Sequence, residues 1–279
     1  MTIIDGKIVS RAVREELKLE AAALKEKGII PGLAVIIVGN DPASAIYVRN
    51  KIIACQEIGI KSFHYELKEE TSKEELITLI KELNNNPQVN GILVQVPLPK
   101  HLPEREILSI IDPNKDVDGF SAYQMGKLVL GEKCFPSCTP FGVMEMLKHY
   151  NIPLEGKRAV VIGRSNTVGK PMALMLLSAN ATVTVCHSKT ANLSEITKQA
   201  DILVVAIGKK NFVTADMVKE GAVVIDVGMN RIDGKLYGDV DFNEVSKKCS
   251  FISPVPGGVG PMTVTMLMKN TIGALKRNE

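Results

Sequence analysis

The chain has 279 residues, 45% of them hydrophobic and 23% charged. That composition fits a globular protein with a full-sized core, and the length suggests two domains. Net charge is +3, from 34 basic and 31 acidic residues, and the charges alternate without a clustered basic face, so nucleic acid is not an expected partner.

In chain order, a first helix is expected within 7–27, where apolar residues recur at helical spacing and Gly28 ends the run. "LAVIIVG", 33–39, is a continuous apolar run, the pattern of a parallel strand buried on both faces. A helix follows in "NDPASAIYVRNKIIACQEIG", where Asp41 is a good N-cap, Pro42 suits the first helical position and Gly59 closes the helix. "SKEELITLIKELNNN" starts a helix at Ser72, and "GILVQVPLP", 91–99, is a strand that stops at prolines. "AVVIG" (159–163), "TVTVC" (182–186), "DILVVAIG" (201–208) and "AVVIDVGM" (222–229) are four more buried strands. Strand–helix alternation of this kind means an α/β fold with parallel sheets and right-handed crossovers. A domain boundary is expected near 135–155, where "FPSCTPFG" and "NIPLEGK" bracket a short helix. A last helix, 262–276, follows the Gly/Pro-rich "SPVPGGVGP" and is expected to return to the first domain.

The opening "MTIIDGKIVSRAVREEL" becomes charged too early for a signal peptide. No apolar run approaches the roughly 18 residues of a membrane span. Cys55, Cys134, Cys138, Cys186 and Cys249 are odd in number in a long chain, which reads as thiols in a reducing cytosol. Cys134 and Cys138 have no Cys or His set at zinc spacing nearby, and His64, His101, His149 and His187 are scattered, so no metal is expected.

"AVVIGRSNTVGKPMALMLLSANATVTVC", 159–186, is strand, glycine turn, helix, strand. Such a helix N-terminus offers free amides and a positive dipole end to a pyrophosphate. Gly163 and Gly169 are spaced G-x-x-x-x-x-G rather than G-x-G-x-x-G, so the glycines alone are a weak signal and the complete βαβ unit carries the reading. An NAD site usually ends its second strand in an acid that holds the ribose 2′-hydroxyl. Here the strand ends in "CHSKT". Ser188 can hydrogen-bond a phosphate, and Lys189 and Arg164 can meet its charge, which favours NADP; Lys189 can also be a solvated loop lysine.

Open α/β sheets bind ligands beyond the carboxyl ends of their strands. Three features fall at such positions: Tyr47 and Lys51, four apart on the helix after 33–39; Gln95 in "LVQVPLP"; and Asp118 in "NKDVDGF". Singly, Lys51 can be a snorkelling surface lysine and Asp118 an ordinary Asp-Gly turn. Together they make an aromatic platform, an amine, a neutral orienting amide and a carboxylate.

"YVRNK", "VQVPLP", "KDVDGF", "GRSNTVGKP" and "PVPGGVGPMT" run in this order over nearly the whole chain. The set closely resembles the bifunctional methylenetetrahydrofolate dehydrogenase/methenyltetrahydrofolate cyclohydrolase family. The resemblance implies two α/β domains with parallel sheets and a substrate cleft between them. Residues 1–138 would form the folate-binding catalytic domain, with the helix from about 262 to 279 packing back on it, and 139–261 a Rossmann-like NADP-binding domain. It implies NADP-linked oxidation of 5,10-methylenetetrahydrofolate to the methenyl cation, then hydrolysis to 10-formyltetrahydrofolate. Lys51 would be the catalytic lysine, Tyr47 the ring that stacks on the aminobenzoyl group, Gln95 the residue that orients Lys51, and Asp118 the holder of the pterin. Gly163, Arg164, Ser165, Ser188 and Met229 would line the NADP site, and Pro256, Gly257 and Gly258 would border the substrate. A cytoplasmic homodimer serving one-carbon metabolism, with purine, methionine and histidine synthesis downstream, is likewise implied. No formate-activating ligase domain is expected, since the chain ends soon after the last motif. A monofunctional dehydrogenase, a non-catalytic folate- or NADP-binding sensor and a shikimate-type dehydrogenase are the competing readings.

Overall fold

The structure is a computed structural model that describes residues 1–276, without the side chains of Pro42, Ala43, Ala45 and Ile46. The elements are, in order, β1 (Thr2–Ile3), α1 (Gly6–Glu26), β2 (Gly32–Val38), α2 (Pro42–Ile58), β3 (Lys61–Leu67), α3 (Lys73–Asn85), β4 (Gly91–Val94), α4 (Glu104–Leu108) and α5 (Ala122–Leu130). There follow α6 (Cys138–His149), β5 (Arg158–Ile162), α7 (Gly169–Ser178), β6 (Thr182–Cys186), α8 (Leu193–Thr197), β7 (Ile202–Val205) and β8 (Val223–Asp226). The last are β9 (Asn230–Ile232), β10 (Lys235–Tyr237), α9 (Phe242–Val245), β11 (Phe251–Ile252) and α10 (Val259–Leu275).

The chain divides into two compact units. One comprises Ala12–Pro136 and the chain from Val264 onward. Its sheet is parallel, in the order β3-β2-β4, with Ile36 of β2 opposite Val94 of β4. β2 is buried along its whole length, as its unbroken apolar run predicts. β3 alternates exposed and half-buried residues, and this polar edge strand lacks the apolar run that marks the others. Ala34, Ile36, Leu76, Ile80, Ile92, Val94 and Ile107 form the core. The helix signals act as local chemistry dictates. Asp41 accepts the Ser44 amide at 2.7 Å, and Gly59 ends α2 in the left-handed conformation. Ser72 and Glu75 close a reciprocal capping box on α3.

The other unit comprises Met1–Arg11 and Ser137–Thr263. Among the described residues its sheet has six parallel strands in the order β1-β11-β8-β7-β5-β6. β9 and β10 form a separate antiparallel hairpin. Val160, Ile162, Leu203, Val205, Val224 and Ile252 lie in its core.

β6, expected to be a buried strand, is an edge strand in which only Cys186 is buried. Three strands are shorter than the runs that mark them, and β4 stops at Val94, before Gln95 and the prolines. β7 stops at Val205 rather than 208, because the next free amides, at Ile207, Gly208 and Lys209, bond to the Asp239 carboxylate. β8 stops at Asp226 rather than 229, where the Gly228 amide bonds to the Asp226 side chain. Side-chain acceptors at the ends of β7 and β8 take donors that a longer ladder would have used.

Candidate active site

α2 leaves the carboxyl end of β2, and Gln95 follows the carboxyl end of the neighbouring strand β4. The Gln95 amide N–H bonds to Ile36 O at 2.8 Å, which seats Gln95 against β2. Tyr47 and Lys51, one helical turn apart, lie on α2. Tyr47 is half-buried and Lys51 is 8% exposed. Lys51 Nζ donates to Gln95 Oε1 at 2.8 Å, and Gln95 Nε2 donates to Val96 O at 2.7 Å. The second bond decides the amide's orientation: its donor end is engaged by the backbone, so its oxygen faces the lysine. Gln95 thereby gives the buried amine one neutral acceptor.

Asp118 stands half-buried on the loop before α5. The residue that shapes this loop is Asp116, which sequence reasoning passed over. It is 3% exposed and accepts the amides of Gly119 at 3.1 Å, Phe120 at 3.4 Å and Ser121 at 2.9 Å. The signal was present in "DVDGF", an Asp three residues before a glycine amide, which is the spacing of a side-chain-closed turn. Val117 O accepts Asn270 Nδ2 at 2.8 Å, so α10 pins the same loop.

In the other unit, Gly163 ends β5 with φ 125°, and a Cβ there would strike Ala206 O. A Cβ on Gly169 would strike Gly163 O. The two glycines therefore let β5, the turn and α7 pack backbone on backbone. Ser165 Oγ accepts the amides of Val168 at 3.1 Å and Gly169 at 3.2 Å, holding the turn into α7. β5 and β6 pair with Ile162 opposite Cys186. Arg164 and Ser188 thus each stand two residues beyond a paired position on adjacent strands, and both are exposed. His187–Thr190 is a closed turn: the His187 amide donates to Thr190 Oγ1 at 2.9 Å and the Lys189 amide to His187 Nδ1 at 3.1 Å. Met229, 46% exposed, lies three residues beyond the end of β8. The Pro256–Gly258 loop follows β11; Gly6 N–H donates to Gly257 O at 3.0 Å, and a Cβ on Gly6 would strike Gly258 O. Among the described residues no group of three or more His, Cys, Asp or Glu is placed to hold a metal ion.

Residues 4–118 match the catalytic-domain model of tetrahydrofolate dehydrogenase/cyclohydrolase, and residues 137–279 match its NAD(P)-binding-domain model. The chain belongs to the tetrahydrofolate dehydrogenase/cyclohydrolase family. A bifunctional FolD protein of Campylobacter hominis is 61% identical over 277 residues, covering 99% of this chain and 98% of that one. The solved bifunctional FolD dehydrogenase/cyclohydrolase of Campylobacter jejuni is 55% identical, covers 100% of both chains and superposes with a TM-score of 0.98. The Trypanosoma brucei dehydrogenase–cyclohydrolase, solved with NADP and an inhibitor, is 39% identical, covers 100% of this chain and 98% of that one, and gives a TM-score of 0.95.

Proposed function

We propose that this family member oxidises 5,10-methylenetetrahydrofolate to the methenyl cation with NADP and hydrolyses that cation to 10-formyltetrahydrofolate. The observation that carries the reading is the bond from buried Lys51 to the oxygen of Gln95 at 2.8 Å. A carboxylate in place of Gln95 would favour the ammonium form. A neutral amide orients the amine and leaves it able to lose its proton when a cationic substrate approaches.

The glycine cradle fits the cofactor: side chains at 163 and 169 would fill the space where backbone approaches backbone. Gly163 and Ser165 would hold the pyrophosphate, Arg164 and Ser188 would meet the 2′-phosphate, and Met229 would line the same site. NADP, when bound, supplies the hydride acceptor. The chain's own residues position the folate. Tyr47 stacks on the aminobenzoyl ring, Asp118 accepts two N–H groups of the pterin edge, and Pro256, Gly257 and Gly258 border the substrate.

In the oxidation a hydride leaves the methylene carbon, and the substrate becomes a cation without transferring a proton to the protein. In the hydrolysis neutral Lys51 takes a proton from water as its oxygen bonds to the methenyl carbon. The resulting ammonium returns a proton to the departing ring nitrogen as the carbon–nitrogen bond breaks. The formyl carbonyl on the retained nitrogen forms by loss of the remaining hydroxyl proton, so one proton is released overall. Both reactions serve one-carbon metabolism, with the formyl product available to purine, methionine and histidine synthesis.

The protein works as a cytoplasmic homodimer in this reading. β6 supports it, being the edge strand of its sheet, with Val185 39% exposed on it and Leu177 58% exposed on the preceding helix. No helix among the described residues is long and apolar enough to cross a membrane.

The test is a paired assay of Lys51→Met, which keeps much of the side-chain length and removes the amine. Methenyl hydrolysis without cofactor should fall by roughly 10²–10⁴-fold, with NADPH formation reduced less. Hydrolysis at the parental rate would show that Lys51 is not the base.

A further inference from the structure

Two of the most deeply buried carboxylates in the chain lie outside the residues assigned so far. Asp226 is 4% exposed and Asp239 fully buried. Asp239 Oδ2 accepts the amides of Ile207 at 2.7 Å and Gly208 at 3.0 Å. Its Oδ1 accepts the Lys209 amide at 2.7 Å and Asn230 Nδ2 at 2.9 Å. Asp226 Oδ1 accepts the amides of Gly228 and Asp239, each at 2.9 Å, and its Oδ2 accepts the Val240 amide at 2.9 Å. The pair is linked in series, since the backbone of Asp239 hangs from the side chain of Asp226.

The consequence is geometric. Three successive amides after β7 turn onto one carboxylate, so residues 207–209 cannot continue the ladder and remain at the carboxyl end of the sheet. Ala206, just before them and still bonded to Ile162 O, bounds the glycine turn, because its own O is the atom that a side chain at Gly163 would strike. Just beyond β8 the Gly228 amide is held by Asp226, and a Cβ at Gly228 would strike the Asp239 carboxyl group. Met229 follows that anchored residue and is displayed to solvent.

The proposed cofactor site puts the 2′-phosphate at the ends of β5 and β6 and the pyrophosphate at the Gly163–Gly169 turn. An extended dinucleotide continued in that direction, along the strand order β6-β5-β7-β8, reaches the ends of β7 and β8. We propose that Asp239, backed by Asp226, is a positioning residue for the nicotinamide–ribose half of the cofactor, setting the segments 207–209 and 227–230 against which that half lies. The inference rests on the cofactor-site assignment made above. Neither carboxylate touches a reacting atom. An asparagine at 239 has one acceptor oxygen for four donors, and its own N–H₂ group would face some of them.

The experiment compares Asp239→Asn and the milder Asn230→Ala, which removes one of the four donors, with the parent protein. Dehydrogenase kcat and KM for NADP, NADP affinity by calorimetry, and cofactor-free methenyl hydrolysis are measured. Asp239→Asn should lower dehydrogenase kcat/KM for NADP by roughly 10- to 100-fold, while hydrolysis stays within about twofold. Hydrolysis is spared because Lys51 and Gln95 belong to the other unit. Asn230→Ala should move NADP kinetics the same way by several-fold. A parallel fall in both activities would mark the carboxylate as structural only, and unchanged NADP kinetics would exclude the positioning role; either overturns the inference. Should Asp239→Asn fail to fold, Asn230→Ala decides by the same criteria. Arg164→Ala separates the two levels. If it leaves the preference for NADP over NAD intact, the cofactor-site assignment fails and this inference with it. If it erodes that preference while the other two variants keep normal NADP kinetics, this inference alone fails.

Discussion

Glutamate in place of Gln95 tests the chemistry of the lysine most directly. It puts a carboxylate where a neutral oxygen now accepts from Lys51 Nζ at 2.8 Å. Opposite unit charges at that separation attract by about 6 kcal/mol at an effective dielectric of about 20. Lys51 is buried and Gln95 half-buried, so desolvation of the new carboxylate offsets part of the attraction. A net of roughly 2–4 kcal/mol in favour of the ammonium would cut the neutral, base-competent fraction by about 30- to 1000-fold at neutral pH. The bond from Gln95 Nε2 to Val96 O is lost as well, which removes the tether that aims the acceptor. The assay is the decay of methenyl absorbance without cofactor, corrected for the uncatalysed reaction and followed to alkaline pH. Hydrolysis should be nearly lost at neutrality and recover as pH rises, because alkali restores the neutral amine. NADPH formation should fall less, since hydride departure needs no proton from Lys51. A Gln95→Glu protein with the parental hydrolysis rate and pH profile would refute the argument that a neutral partner is required.

Asp118→Ala should weaken folate binding by roughly 2–3 kcal/mol, seen as a raised KM for the folate in both reactions with NADP affinity unchanged. A normal folate KM would reduce Asp118 to a turn residue. The parent should prefer NADP over NAD by about tenfold or more in kcat/KM, about 1.4 kcal/mol, and Arg164→Ala should erode that margin; equal use of NAD by the parent would overturn the cofactor reading. Burial, and then the Asp239 charge, push the Asp226 carboxyl up to about 6, against the pull of the amides of Asp239, Val240 and Gly228. A carboxyl raised on folding stabilises below its unfolded value near 3.8, and that contribution is lost as pH rises through about 6. Urea midpoints of the parent relative to Asp226→Asn should therefore fall between pH 4 and pH 7, by up to about 3 kcal/mol of stability. A constant difference across that window would show that Asp226 carries no such burden.

Much of this protein is written in local sequence. Asp41 before Pro42, and Ser72 with Glu75, announce α2 and α3, because a cap needs acceptors only three residues from its donors. β2, β5, β7 and β8 announce themselves as apolar runs because both faces are buried. Tyr47, Lys51 and Gln95 could be nominated because motifs at strand ends mark where such sheets bind ligands. Tertiary structure decided the rest. That Gln95 offers Lys51 its oxygen depends on Val96 O engaging the other end of the amide. That Asp116 closes the loop that carries Asp118 depends on which of two nearby carboxylates is turned inward. β3 has too polar a face to stand out, and β1 joins its sheet only by pairing with β11, near the opposite end of the chain. Asp226 and Asp239 show the limit most clearly. Each is an unremarked acid in sequence, and both owe their function to amides from distant segments converging on them. Local patterns report backbone conformation and burial, which depend on near neighbours. The partner of a buried polar group is set by the packing of strands far apart in the chain, so only the folded structure identifies it.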